Sequence, residues 1–276
     1  MAVVVITGCS SGFGLATALA FARRGDRVYA TMRDLRRGGD LLTGAEAGGL
    51  RVEPLALDVT DDDSVAGAVG RVTEAEGRID VLVNNAGVAH LGAVEGLPDA
   101  SAREVFETNL FGPVRLVRAV LPGMRERREG AIVNVSSVAG RLPGSPGNWA
   151  YSASKHALGS LSDSLAQEVR PFGIRVVCIE PGFFATNVVR GSVKLDPASP
   201  YADLERSVAA YYRTNVESGG DPRVVADTIV ASVSGPAGPV HVPVGADAEM
   251  AIQAAGVMSE EKWSAVARSA FGLDPR

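Results

Sequence analysis

The stretch VVVITGCSSGFGLATALAFARRG, residues 3–25, decides the fold class of this chain. Its apolar start leads into a turn with glycines at positions 8, 12 and 14, and an apolar segment of helical period follows. A strand, a glycine turn and a helix N-terminus form an anion site, because free backbone N–H groups converge where the helix dipole is positive. The spacing G-x-x-x-G-x-G departs from the usual G-x-G-x-x-G. The strand–turn–helix context therefore carries the prediction of a bound pyrophosphate, and a glycine turn without a ligand is the alternative.

Short apolar runs and longer segments of helical period alternate along the rest of the chain. The predicted strands are 3–6, 27–31, 52–59, 81–84, 131–136, 175–180 and 240–244. The predicted helices lie near 14–24, 62–76, 101–127, 151–171 and 222–233. Because continuous apolar strands indicate burial on both faces, this alternation predicts an α/β fold with a doubly wound parallel sheet of about seven strands flanked by helices.

The composition limits the function. At 276 residues, a single domain over 1–276 is expected. The net charge of −5 and the pI near 5.3 supply no basic field for nucleic acid or an anionic membrane, so we expect a small-molecule partner. No run of 18 apolar residues occurs, which indicates a cytoplasmic protein. Cys9 and Cys178 are too few for a disulfide framework, and neither they nor His90 and His241 have metal-ligand spacing, so no metal is predicted.

The end of the second predicted strand bears on the choice of dinucleotide. An NAD site usually has an acidic residue here, whereas an NADP site needs a cation for the 2′-phosphate. Met32 brings no repulsive charge, and Arg33 offers a forked donor, with Arg36 and Arg37 nearby. NADP(H) is therefore preferred and NAD(H) stays possible, because Asp34 could reach the ribose instead, or the charges could belong to an ordinary solvated loop.

Tyr151 and Lys155 in YSASK lie four residues apart on a predicted helix, so they share one face about one turn apart. A free tyrosine has a pKa of about 10, and a nearby cation favours the phenolate. We therefore expect Tyr151 to exchange a proton with a carbonyl or alcohol oxygen during hydride transfer, and Lys155 to lower the cost of ionising it.

The motifs together resemble the classical short-chain dehydrogenases/reductases over nearly the whole chain. They are TGCSSGFG at 7–14, LDV at 57–59, NNAG at 84–87, Asn109, NVSS at 134–137, YSASK at 151–155 and PGFFAT at 181–186. TGCSSGFGL and VYATMRDL are similar to the hydroxysteroid and retinol dehydrogenase branch, which tends to use NADP(H). The resemblance implies a Rossmann-type fold and oxidoreductase activity on hydroxyl and keto groups.

The resemblance also implies roles for individual residues. Ser137 would hydrogen-bond the substrate oxygen, Lys155 the nicotinamide ribose, and Asn109 a water that continues the proton path. A buried, hydrogen-bonded asparagine is the alternative for Asn109. Asp58 would contact the adenine and Thr186 the carboxamide. The predicted cofactor-binding residues are Gly8, Ser10, Ser11, Gly12, Phe13, Gly14, Arg33, Asp58, Val59, Asn85, Ala86, Gly87, Tyr151, Lys155, Pro181, Gly182 and Thr186.

The spacing between Ser137 and Tyr151 departs from the family. The two residues are 14 apart, one more than expected, and the glycine- and proline-rich loop 138–150 is predicted to absorb the insertion. If it does not, Ser136, otherwise a structural residue, could take the role given to Ser137.

A variable segment at about 187–221 is expected to cover the substrate, although its apolar stripe could equally pack on the core. A bulky hydrophobic ketone or secondary alcohol is the predicted substrate. The predicted pocket residues are Leu142, Phe183, Phe184, Val189, Tyr211 and Tyr212.

Three functions fit the sequence. They are an NADP(H)-dependent oxidoreductase, a non-catalytic nucleotide-binding regulator, and a nucleotide-dependent epimerase or dehydratase. The oxidoreductase is preferred because Tyr151 and Lys155 are both present and only 121 residues follow Lys155. Family members commonly associate through the helices that correspond to 101–127 and 151–171, so a homodimer or homotetramer is expected.

Overall fold

A seven-stranded, entirely parallel sheet forms the centre of the computed structural model, which describes residues 1–186 and 198–273. The strands are β1 (Val3–Ile6), β2 (Arg27–Met32), β3 (Val52–Ala56), β4 (Val81–Asn84), β5 (Gly130–Val135), β6 (Ile174–Pro181) and β7 (His241–Val244). Their order is β3-β2-β1-β4-β5-β6-β7. The order reverses between β1 and β4, and ligands of such sheets bind where the strands end at this switch point. The predicted fold class is confirmed.

Ten α-helices surround the sheet in the described part of the chain. They are α1 (Gly12–Arg23), α2 (Gly39–Ala47), α3 (Asp62–Glu76), α4 (Asp99–Phe106), α5 (Gly112–Arg127), α6 (Trp149–Val169), α7 (Ala202–Glu217), α8 (Pro222–Ser234), α9 (Ala246–Val257) and α10 (Glu260–Ala270).

Both faces of the sheet are buried, as continuous apolar strands require. Along β1, Val4 and Ile6 point to the face covered by α1 and α8, where Phe21 and Ile229 are completely buried. Val3 and Val5 point to the face covered by α3, α5 and α6. The alternation of side chains along one strand therefore supplies two cores.

Several predicted elements differ from the observed ones. The helix predicted over 101–127 is interrupted by a π turn at Glu107–Phe111, which separates α4 from α5. Helices α2, α9 and α10 were not predicted. The segment 191–221 contains α7, as a departure from the strand–helix alternation, whereas residues 187–197, including Val189, lie outside the described residues.

Candidate active site

The glycine turn between β1 and α1 forms a cradle with no room for side chains. Gly8 has φ +73°, and a Cβ atom added to it would lie 2.9 Å from the Cα of Ala86. A Cβ on Gly14 would lie 2.4 Å from the Gly8 carbonyl oxygen. Ser11 precedes the first turn of α1, and its side chain makes no capping hydrogen bond. The turn therefore presents bare backbone at a helix N-terminus, which is the geometry of a phosphate site.

A cavity of about 580 Å³ begins at this cradle and crosses the switch point. It is lined by most of the predicted cofactor-binding residues, namely Gly8, Ser10, Ser11, Gly12, Phe13, Arg33, Asp58, Val59, Asn85, Ala86, Gly87, Tyr151, Lys155 and Thr186. Gly14 lies behind the cradle, and Pro181 and Gly182 line a second cavity instead. Leu57, Val88 and Thr108 line the first cavity and were not predicted. Its volume, its backbone cradle and its mixed polar and apolar lining fit a dinucleotide.

The loop after β2 brings cations to one end of this cavity. Arg33 and Arg37 both line it, and neither forms an ion pair with any described residue. Asp34 also lines the cavity, but its two carboxylate oxygens each accept a hydrogen bond of 2.9 Å from Arg36. These bonds lower the pKa of Asp34 below its ordinary value. The carboxylate is therefore already paired with a cation.

Tyr151 and Lys155 occupy successive turns at the start of α6. The Lys155 Nζ lies 5.6 Å from the centroid of the Tyr151 ring and donates a 2.8 Å hydrogen bond to the Val135 carbonyl. The Ser137 side chain lies near the Tyr151 hydroxyl, and its interaction with that hydroxyl lowers the tyrosine pKa. The loop 138–150 therefore accommodates its extra residue, since Ser137 and Tyr151 meet. Ser136 instead donates to the Lys155 carbonyl at 3.1 Å.

Burial dominates the ionisation of this pair. It raises the pKa of Tyr151 above its ordinary value, and the interaction with Ser137 opposes only part of that effect. It also lowers the pKa of Lys155 to about 8, with an opposing contribution from Cys178. Burial is the largest effect on both pKa values, and the lowering of the Tyr151 pKa by Lys155 stays a prediction.

Asn109 lies in the π turn and is fully buried. Its side chain exchanges two 2.9 Å hydrogen bonds with the Val88 backbone and donates a third, of 3.0 Å, to the Ser154 hydroxyl. A Cβ on Gly87 would lie 3.3 Å from the Asn109 Oδ1 and 3.7 Å from the Lys155 Nζ, so the asparagine and the lysine are near neighbours. Single π turns are frequent at functional sites.

A second cavity, of about 520 Å³, opens beyond Tyr151 and is mostly apolar. Every described residue of the predicted substrate pocket lines it, namely Leu142, Phe183, Phe184, Tyr211 and Tyr212. The rings of Phe183, Tyr211 and Tyr212 pack within 6 Å of one another, and Phe271, after α10, joins them at 4.6 Å from Tyr211. An unpredicted roof of α9 and α10 adds Met250, Ala251, Ala254, Met258, Trp263, Val266, Ala267 and Ala270.

The two cavities meet at four residues, Phe13, Ser136, Tyr151 and Thr186, which line both of them. A sequence model of the short chain dehydrogenase family matches residues 2–195. The chain belongs to the short-chain dehydrogenase family. Members of this family are oxidoreductases of hydroxyl and keto groups, and this short-chain dehydrogenase is therefore an enzyme of that class.

Curated relatives extend the match along the chain. Oxidoreductase BOA17 of Botryotinia fuckeliana is 40% identical over 266 residues, which cover 94% of this chain and 95% of that protein. Retinol dehydrogenase 8 of Bos taurus is 43% identical over 214 residues, covering 76% and 68%. Human 17-beta-hydroxysteroid dehydrogenase type 1 is 46% identical over 188 residues, covering 65% and 56%. The predicted likeness of this short-chain dehydrogenase to the hydroxysteroid and retinol branch is confirmed.

Solved structures of other short-chain dehydrogenases share the fold. One from Streptomyces avermitilis has a TM-score of 0.82 and 38% identity, covering 97% of this chain and 98% of that one. A metagenomic short-chain oxidoreductase in complex with NADP has a TM-score of 0.70 and 30% identity, covering 88% and 96%. A Burkholderia phymatum enzyme in complex with NAD has a TM-score of 0.82 and 27% identity, covering 96% and 95%. A nicotinamide cofactor therefore suits the first cavity.

Proposed function

We propose that this short-chain dehydrogenase is an NADP(H)-dependent reductase or dehydrogenase of bulky, hydrophobic ketones or secondary alcohols. The observation that carries the proposal is the position of Tyr151, which stands where the dinucleotide-shaped cavity meets the apolar cavity. A hydroxyl at that junction touches both a cofactor and a substrate. No observation favours a regulator or an epimerase, since Tyr151 and Lys155 are both present and both line the first cavity.

The chain's own residues would handle the proton and the substrate oxygen. A bound nicotinamide supplies the hydride, or accepts it in the oxidation direction. The Tyr151 hydroxyl gives its proton to the oxygen of a ketone as negative charge develops there, and takes it back from an alcohol. Ser137, which lines the second cavity with Tyr151, would hold the same oxygen. Lys155, beneath the ring, would bond the ribose, and Asn109 would hold the water that links the lysine to solvent.

Charge at the first cavity supports the preference for NADP(H). Arg33 and Arg37 line the cavity and neither forms an ion pair with a described carboxylate, whereas Asp34 is held by Arg36 and is also influenced by the charge of Arg37. A 2′-phosphate would give the two arginines an anion to bind in charge-assisted, bidentate geometry. The residues assigned to the cofactor are those that line this cavity, together with Gly14, Pro181 and Gly182 at its edges. NAD(H) remains the weaker ligand.

The second cavity supports an extended apolar substrate. Its aromatic wall excludes water from the reacting oxygen, and its roof offers small side chains, Ala251 and Ala254 on α9 and Ala267 and Ala270 on α10. Alanines on both helices leave room for a long ring system or chain. We place the lid at 187–221, with α7 as its described part, inside a single domain over 1–276.

The location and assembly complete the proposal. No helix in the described residues is long and apolar enough to cross a membrane. We propose a cytoplasmic homodimer or homotetramer with a small-molecule substrate as its partner.

Replacement of Tyr151 by phenylalanine tests the reaction. The ring keeps its packing but cannot move a proton, so kcat with NADPH and a bulky ketone should fall by about 10²-fold or more, while the NADPH Kd stays within about twofold. Steady-state rates and fluorescence titration of NADPH measure the two quantities. Ser164→Ala, on the exposed side of the same helix, is the control and should match the wild type. Near-normal turnover by the Tyr151→Phe enzyme would reject the acid/base assignment.

A further inference from the structure

A buried cluster of charges lies beside the active site, between β6, β7 and α6. The Glu180 carboxylate is 1% exposed. Its Oε1 lies 2.6 Å from the His241 Nδ1, and both of its oxygens lie 3.4 Å from the Arg141 Nη1. The other nitrogen of His241, Nε2, lies 2.8 Å from Asp163 on α6. None of these four residues was given a role by the sequence.

Both ring nitrogens of His241 face carboxylates, so the ring must donate from each of them and carry a positive charge. The pKa of His241 is raised to about 10. The interaction with Cys178 is the largest cause, burial opposes it, and the hydrogen bonds to Glu180 and Asp163 raise the pKa further. The buried Glu180 is therefore shared by two cations, His241 and Arg141. Removal of one partner of such a buried pair leaves an uncompensated charge.

The same cluster contains a possible metal-ligand set. The ligand atoms of Cys178, Glu180 and His241 lie within 4.8 Å of one another. A metal ion there would stand beside Arg141 and would have to displace the imidazolium from Glu180. The charges already present favour an ion cluster over a metal site.

The cluster joins three segments that line the substrate cavity, namely the turn before Arg141, the end of β6, and α6. Arg141 directly follows the 3₁₀ turn Val138–Gly140, and Ser137 is the N-cap of that turn. Glu180 precedes Pro181 and Gly182. The 3₁₀ turn packs closely on α6, because a Cβ on Gly140 would lie 2.8 Å from the Lys155 carbonyl carbon and oxygen. The orientation of Ser137 toward Tyr151 therefore depends on how this turn is seated.

We propose that Glu180 and Arg141 are positioning residues that tie the Ser137 turn to β6 and so keep it seated on α6, where the serine and tyrosine hydroxyls converge on one substrate oxygen. The inference rests on the proposed function, in which these two hydroxyls contact that oxygen. Neither Glu180 nor Arg141 lines either cavity, so they act only through the turn. His241 completes the charge balance of Glu180.

A double-mutant cycle of Glu180→Gln and Arg141→Met tests the proposal. Each single variant removes one charge at nearly constant volume and should lower kcat about tenfold, because small misplacements of catalytic groups are costly. The NADPH Kd should not change. The double variant should be no slower than the slower single variant, since residues in one contact are not additive. Arg141→Lys, which keeps the charge, should recover part of kcat.

Asp163→Asn is the matched control, because it neutralises the exposed carboxylate on the other side of His241. We expect wild-type kcat from it. A lower melting temperature with unchanged kcat and KM in both Glu180→Gln and Arg141→Met would overturn the proposal, and so would additive losses in the cycle. If Glu180→Gln does not fold, the half-exposed Arg141 still gives the answer through its Met and Lys variants. Normal rates in these variants beside an inactive Tyr151→Phe enzyme would refute the positioning role alone, whereas an active Tyr151→Phe enzyme would refute the proposed function.

Discussion

At the scale of single residues, the cofactor choice depends on which side chain of the β2 loop is free. Asp34 would compete with a 2′-phosphate if its carboxylate faced the cavity alone. Its two hydrogen bonds to Arg36, together with the nearby charge of Arg37, occupy Asp34 and leave Arg33 as a cation at the cavity with no ion pair among the described residues. A hydrogen bond to a charged group contributes about 1.5 to 3 kcal/mol.

Arg33→Ala should therefore lower kcat/KM for NADPH by about tenfold to a hundredfold and leave kcat/KM for NADH nearly unchanged. Initial rates with both cofactors and one ketone measure this. Arg23→Ala, an exposed arginine at the far end of α1, is the control and should leave both values alone. Unchanged NADPH efficiency in Arg33→Ala would show that Arg33 does not bind the phosphate.

The burial of Lys155 has a cost in stability. Burial lowers its pKa from 10.5 in the unfolded chain to about 8, so the unfolded state binds more protons between those two pH values. Stability should rise with pH across that window. Below pH 8 the buried charge of Lys155 lowers the free energy of unfolding by about 3 kcal/mol. Replacing the lysine removes this cost but also removes its hydrogen bond to Val135, which contributes about 1 kcal/mol.

Lys155→Met should therefore be more stable than the wild type by about 2 kcal/mol at pH 7, and inactive. Urea unfolding at pH 7 and pH 10 measures the difference, which should shrink at the higher pH. His241 titrates in both proteins, so its contribution cancels in the comparison. A methionine variant that is less stable at pH 7 would contradict this assignment of the burial cost.

The residues that the sequence could predict are those fixed by local spacing. Tyr151 and Lys155 follow from one helical turn, and the glycines follow from one strand–turn–helix unit. The bond of Asp34 to Arg36 and the cluster around Glu180 were not predictable, because they depend on side-chain directions and on strands that meet only in the folded sheet. His241 and Glu180 are 61 positions apart and adjacent in space.

At the scale of elements, the fold was predictable where helices pack on the sheet and not where they enclose a cavity. Helices α1, α3 and α8 show apolar periods because they cover strands. Helix α9 reads ADAEMAIQAAGV, and two of its alanines, Ala251 and Ala254, face the second cavity, whereas only Ala248 is buried. The π turn also left no signal, because one extra residue in a turn does not interrupt an apolar pattern.

A larger side chain on the α9 wall of the second cavity should make the enzyme prefer shorter substrates. Ala254→Leu places added volume in the second cavity, and kcat/KM for a long apolar ketone should fall about tenfold or more, while a short methyl ketone should be affected less than about twofold. Ala255→Leu makes the same change on the neighbouring position of α9, which does not line the cavity, and should match the wild type. Equal losses for long and short ketones would show that the roof does not measure substrate length.

At the scale of the whole molecule, the two cavities meet because the strand order reverses at β1 and β4. The crevice that this reversal opens receives the dinucleotide, and the chain's late helices α7, α9 and α10 build the apolar cavity beside it. In this arrangement Tyr151, at the start of α6, lines both cavities. We propose the outer surface of the long helices as the surface for assembly.

Phe111, between α4 and α5, is the exposed aromatic residue that we expect to lie in a contact with a second copy of the chain. It ends the π turn between α4 and α5 and is 49% exposed, although a phenyl ring gains from burial. Light scattering at micromolar concentration should give a dimer or tetramer. Phe111→Glu should shift it toward the monomer, because an unpaired carboxylate in an apolar contact costs several kcal/mol. Val94→Glu, at a residue that is 73% exposed outside the long helices, should leave the assembly intact. A monomeric wild type would reject the assembly, and an unchanged oligomer in Phe111→Glu would move the interface to another face of the molecule.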